Sequence, residues 1–130
     1  MDDCIFCKII KKELPSDKVY EDDKFLGFMT IEPVSDGHIL IIPKKHIVWM
    51  QDADDETIAE IFKIAKKLMG PLKKVTNADY VQLGISGEEI PHFHIHLFSR
   101  YYNDGLLRFP HKKYKDGEKS AMAKKITAEL

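Results

Sequence analysis

"PHFHIHLFSR", residues 91–100, sets His92, His94 and His96 at alternate positions, with Phe93, Ile95 and Leu97 between them. A period of two is the side-chain period of a β-strand, so the three imidazoles share one face and the three apolar side chains the other. The apolar face reads as one built to bury against a core, which leaves the imidazole face asking for a chemical role. On a straight strand, alternate residues stand about 6.7 Å apart, placing the Cα atoms of His92 and His96 roughly 13 Å apart. Two neighbouring rings can share one zinc ion at Zn–N distances of about 2.0–2.1 Å, but three in a row can hardly do so. At least one imidazole is then free for other work.

Outward from that strand, the chain alternates strand-like and helix-like stretches. "YVQLGIS" (80–86) precedes it across the short "GEEIP" loop, and "HILIIPKK" (38–45), "KFLGFMT" (24–30) and "KVYEDD" (18–23) read as three further strands. "DADDETIAEIFKIAKKLMGPLKKV" (52–75) is the clearest helix. Ile58, Ile61, Phe62, Ala65, Leu68, Met69, Leu72 and Val75 recur at three- and four-residue spacing, and an acidic start and lysine-rich end suit the helix dipole. Gly70-Pro71 marks a place where it could bend. "CIFCKIIKKELP" (4–15) is a turn with a short helix-like piece closed by Pro15, and the polar tail from Tyr102 carries a weak helix at 118–129. Strands, one long helix and strands again predict an α+β class with a largely antiparallel five-stranded sheet and short terminal helices.

With 130 residues, the chain is expected to form one domain, 1–130, with a core of its own. A formal net charge of −1 provides no bulk field to recruit nucleic acid or anionic lipid. The longest apolar runs are too short to cross a bilayer, and the start "MDDCIFC" lacks the basic segment of a secretory signal. A cytoplasmic location follows as the expectation, and with it reduced thiols.

Cys4 and Cys7 are the chain's two cysteines. Their C-x-x-C spacing supplies half of a tetrahedral zinc site and also occurs in redox pairs, although the redox form follows a strand of a βαβ unit and none precedes Cys4. A zinc ion would draw its remaining ligands from the triad or from His38, His46 and His111. Ser86 and Gly87 open the loop before the triad, where small residues let backbone N–H groups approach an anion such as phosphate.

Together, "CIFCKII" (4–10), "VYEDD" (19–23), "GHILIIPKKHI" (37–47), "HFHIHLF" (92–98) and "SR" (99–100) resemble the histidine triad (HIT) family of nucleotide hydrolases and transferases, nearly throughout the chain. The resemblance implies that His94 attacks the α-phosphate of a purine nucleotide conjugate, forming a covalent nucleotidyl-histidine that water resolves. It implies that His96 contacts the phosphate or assists the leaving group, and that His38 lies near the phosphate. It implies a structural zinc on Cys4, Cys7, His46 and His92, and a nucleobase flanked by Phe6, Ile9, Phe28 and Ile31. A homodimer sharing one continuous sheet is implied in the same way.

Three departures stand out. Thr30 occupies a place where many relatives have a ribose-binding Asp; "SGEEI" (86–90) replaces the common Ala-Gly-Gln loop, with Glu88 in the glutamine's place; and no tryptophan lies near the carboxy terminus. Beside Ser86 and Gly87, Glu88 is thus a candidate substrate contact, with a carboxylate that suits a cationic leaving group better than a second nucleotide. The reading that results is a hydrolase acting on a P–N or P–O–P bond. Its rivals are a non-catalytic, zinc-stabilised nucleotide-binding or scaffold protein and, more remotely, a metal-dependent hydrolase built on the H-x-H pair.

Overall fold

The computed structural model describes residues 3–106 and 109–130; the first two residues and positions 107 and 108 of the polar tail lie outside the described residues. In chain order they form α1 (Ile5–Ile10), β1 (Lys18–Glu21), β2 (Phe25–Met29), β3 (Ile39–Pro43), a 3₁₀ turn (Met50–Asp52), α2 (Asp55–Thr76), β4 (Tyr80–Gly84), β5 (Ile95–Arg100) and α3 (Glu118–Ala128). The strands make one sheet in the order β1-β2-β3-β5-β4, and each neighbouring pair is antiparallel. The α+β class and the five-stranded antiparallel sheet are those the sequence predicts.

Local chemistry sets the boundaries. Asp22 Oδ1 accepts from the N–H groups of Lys24 and Phe25 at 2.8 Å, which closes the β1–β2 turn. Asp54 caps α2 by accepting from Thr57 N–H at 2.7 Å, and Asn77, in the left-handed region at φ 54°, ends it. The helix runs on through Gly70 and Pro71 to Thr76, three residues later in start and one later in end than its apolar periodicity predicts.

Because the sheet pleats, its two faces collect different partners. Phe25, Ile39, Ile41, Ile95 and Leu97 pack with Phe93 against Ile61, Ile64, Ala65 and Leu72 of α2. Leu26, Phe28, Leu40 and Ile42 point the other way and pack with Cys4, Phe6 and Cys7 of the α1 segment. The alternation in 92–97 is therefore kept, but the imidazole face is no open surface: His92 and His94 are buried, and α1 covers them. No helix among the described residues is long and apolar enough to cross a membrane.

One element differs from its expected extent. The strand begins at Ile95, leaving His92 and His94 just before it. Pro91 brings no N–H to a ladder. His92 N–H turns back to the Ile90 carbonyl at 2.8 Å, and Phe93 N–H is taken by the Ile47 carbonyl at 2.6 Å. Pairing with β3 then starts at Ile95↔Ile41. Bending the chain before the strand breaks the straight row, so that His92 turns toward the two cysteines while His94 and His96 sit at the other end.

Candidate active site and metal centre

The histidine row divides between two clusters. At its first end, Cys4 caps α1 and Cys7 lies one turn on, so both sulfurs face the same side as the His92 ring. His46 arrives from the loop after β3. Cys7 Sγ is 3.2 Å from His46 Nδ1 and 3.6 Å from His92 Nδ1, while Cys4 Sγ is 3.5 Å from His92 Nδ1. The four donor atoms all lie within 4.8 Å of one another. A tetrahedral ion with M–S bonds of about 2.3 Å and M–N bonds of about 2.0–2.1 Å needs S···N edges of about 3.5 Å, so the set can hold a metal ion of that size. Its tautomer fits as well. His92 Nε2–H donates to the Pro43 carbonyl at 2.7 Å, which leaves the Nδ1 lone pair directed at the sulfurs. Burial and the adjacent Cys4 push the Cys7 thiol above its ordinary pKa, a penalty that a bound cation would reverse.

At the second end the ring atoms are tied in the opposite sense. His94 Nδ1–H donates to the His92 carbonyl at 2.6 Å, so Nε2 carries the lone pair. That atom has no partner among the described residues, yet none of their polar side-chain atoms is both sealed and unpartnered, so Nε2 reaches solvent. The Phe6 ring stands edge-on to His94 at 5.1 Å and to His92 at 5.9 Å, a wedge between the two clusters.

His38 and His96 form a relay whose direction the backbone decides. Val34 N–H can only donate, and it donates to His38 Nδ1 at 3.1 Å. His38 must then carry its proton on Nε2, which lies 2.9 Å from His96 Nδ1. His96 Nδ1 accepts, and the His96 proton is on Nε2. Burial, reinforced by the charge of His96, lowers the His38 pKa to about 4; burial followed by the charge of His94 lowers that of His96, with Glu89 opposing. Both rings are thus neutral at neutral pH, as the relay requires. The loop before His38 is pinned by Ser35 Oγ–H to the Ser99 carbonyl and Ser99 Oγ–H to the Asp36 carbonyl, each 2.7 Å. At Gly37, with φ 76°, a Cβ would meet Leu72 Cδ1 at 2.4 Å, so only glycine serves before His38.

The 86–90 loop completes this end. Gly87 has φ 90°, and a Cβ there would meet the Trp49 ring at 3.0 Å. Ser86 Oγ lies 3.2 and 3.1 Å from the two Glu89 carboxylate oxygens and donates there. A Glu89 oxygen lies within 4.8 Å of ring nitrogens of His94 and His96. Its own backbone N–H, followed by Ser86 and the two histidines, holds the carboxyl below its usual range against the opposing effect of burial. Glu88 is exposed and belongs to neither cluster.

Of the residues singled out for the nucleobase, Phe6 and Phe28 pack edge-to-face at 5.5 Å within the α1-side core, and Ile9 packs beside them. Ile31 is 95% exposed, away from that group. His111 lies in the exposed tail, outside both clusters. Sequence reasoning missed Glu89 and Gly84. Glu89 stands three residues after Ser86, the spacing of a local turn, and this was the signal that could have found it. Gly84 pairs with His96 across β4–β5 and has open space where a Cβ would sit, leaving room beside that imidazole.

The fold and these two clusters define a small α+β protein that joins a buried Cys₂His₂ cluster to a tautomer-locked histidine pair. Residues 11–103 match the family model described as "HIT domain", and the chain belongs to that family. It is 44% identical to an uncharacterized HIT-like protein of Borreliella burgdorferi, over 82% of this chain and 81% of that one. It is 41% identical to the adenosine 5′-monophosphoramidase HNT1 of Saccharomyces cerevisiae, over 80% of this chain and 67% of that one. The crystal structure of a zinc-bound histidine triad family protein from Mycobacterium smegmatis superposes with a TM-score of 0.76, at 28% identity over 98% of both chains.

Proposed function

We propose that this protein hydrolyses conjugates of a purine nucleoside 5′-phosphate through a nucleotidyl-His94 intermediate, releasing the monophosphate. The observation that carries this reading is the tautomer of His94: with Nδ1–H held by the His92 carbonyl, its lone pair sits on the solvent-reached Nε2. Attack by Nε2 on phosphorus breaks the bond to the amine, which departs with a proton taken from solvent, and creates an imidazolium whose Nδ1–H bond to a carbonyl strengthens as charge develops. His96 Nε2–H, held outward by His38, donates to a phosphoryl oxygen. The identity to a named adenosine monophosphoramidase supports a P–N substrate.

Cys4, Cys7, His46 and His92 would hold one zinc ion, a choice supported by the donor geometry and by the zinc-bound relative. With four protein ligands such an ion fixes structure and offers no open position for chemistry. The same reading takes residues 1–130 as one working unit in a cytoplasmic homodimer.

Release of AMP from a fluorogenic adenosine phosphoramidate, with an acid-free quench and mass spectrometry to locate the adduct, tests the proposal. The expected result is turnover with the nucleotide on His94. An adduct on another residue, or wild-type turnover in His94→Ala, overturns it.

A further inference from the structure

The relay that fixes His96 as a donor leaves the last step of that reaction without a proton acceptor. Water attacking the nucleotidyl-histidine must shed a proton. His94 Nε2 is bonded to phosphorus, and His94 Nδ1 already carries a proton toward the His92 carbonyl. His96 Nε2 also carries one, and its remaining lone pair, on Nδ1, faces the Nε2–H of His38. His38 Nδ1 is occupied by Val34 N–H. Each imidazole of this end is thus closed to a further proton.

Resting on the nucleotidyl-His94 route, we infer that the Glu89 carboxylate accepts that proton. A Glu89 carboxylate oxygen lies within 4.8 Å of a ring nitrogen of His94 and of one of His96, close enough for one water to bridge the carboxylate and the histidine pair. Ser86 grips the carboxylate from one side and orients it. In electrostatic terms a carboxylate beside a phosphate-binding histidine pair is unfavourable unless it handles a positive charge, and the proton of an attacking water is one.

The step balances. The water oxygen bonds to phosphorus as the P–Nε2 bond breaks, and that electron pair returns to His94 as the lone pair of a neutral ring. One water proton stays on the product as the monophosphate monoanion. The other passes to Glu89, which then gives it to solvent.

The p-nitrophenyl ester of adenosine 5′-monophosphate isolates this step, because its leaving group needs no proton to depart. In Glu89→Gln the nitrophenolate burst should keep its wild-type rate, and the steady phase should fall about 10²–10⁴-fold, with the adduct accumulating on His94. Glu89→Asp keeps the charge, should slow the steady phase less, and decides the matter should the Gln variant melt early. A wild-type steady phase, or burst and steady phase slowed alike with metal content and melting unchanged, overturns the assignment to Glu89. Full turnover with no histidine adduct in any of these proteins overturns the covalent route as well, and so separates the two failures.

Discussion

His92 and His94 are two residues apart, equally buried and hydrogen-bonded to main-chain carbonyls, yet they are fitted for different work. His92 spends its distal Nε2–H on Pro43 and turns Nδ1 toward two thiols. His94 spends its proximal Nδ1–H on the carbonyl of His92 and leaves the distal Nε2 for solvent and substrate. The difference is one of which nitrogen the backbone claims. An imidazole tied at its far end keeps its lone pair close to the chain, as the proposed ligand His92 does; tied at its near end, it presents the distal nitrogen, as the proposed nucleophile His94 does.

The contrast is broken most directly at the two residues themselves. His94→Ala should stay folded with its metal content intact and lose more than about 10⁴-fold in turnover, as removal of a nucleophile does elsewhere. His92→Ala should instead lose metal and melt earlier. Phosphoramidate turnover, elemental analysis and a melting curve on both proteins check this, and a His94→Ala protein lacking metal would merge the two roles.

Metal removal comes next. Cys4→Ser with Cys7→Ser, or treatment with a strong chelator, should lower the melting temperature by more than about 10 °C, since a loss of several kcal/mol shifts a domain of this size by a few degrees per kcal/mol. Calorimetry reads the change. Unaltered melting would show that the first cluster is thiols and imidazoles merely packed together.

A smaller effect is expected from the relay. His38→Ala frees the His96 tautomer and should cost turnover about 10–100-fold, with His38→Gln recovering part of it because its amide N–H can replace Nε2–H. Equal loss in both variants would mean that His38 fills space and directs nothing.

The smallest is a pH effect. The His38 pKa falls from 6.5 to about 4 on folding, so the unfolded chain binds more protons between those values. Stability must therefore rise with pH through that window and be lost as pH falls from 6.5 toward 4. Melting temperatures across pH 4–7 should fall less steeply for His38→Gln than for the wild type, and parallel curves would remove His38 from the account.

The main elements of the fold were legible because each has its own signal: the period of α2 and the alternation of 92–97. The start of β5 was not, because it depends on Ile47, distant in sequence, claiming the N–H of Phe93. Nor could spacing assemble the candidate metal centre, whose four residues come from three separate segments; the family resemblance named them. In the loop before the triad there is no periodicity to set the phase. Sequence reasoning chose Glu88 where the turn built by Ser86 brings Glu89 to the histidines. That α1 also roofs His94, through the Phe6 ring, was not legible in spacing, since a six-residue helix carries almost no pattern.

That roof has a thermodynamic side. Cys4, Phe6 and Cys7 sit within four residues, and the Phe6 ring touches His92 and His94 at once. On the proposed reading, whatever factor a metal in the first cluster adds to the affinity of a nucleotide packed on Phe6, the nucleotide must add to the affinity of the metal. A chemically inert ion would thereby become an effector, and substrate would slow its loss to a chelator.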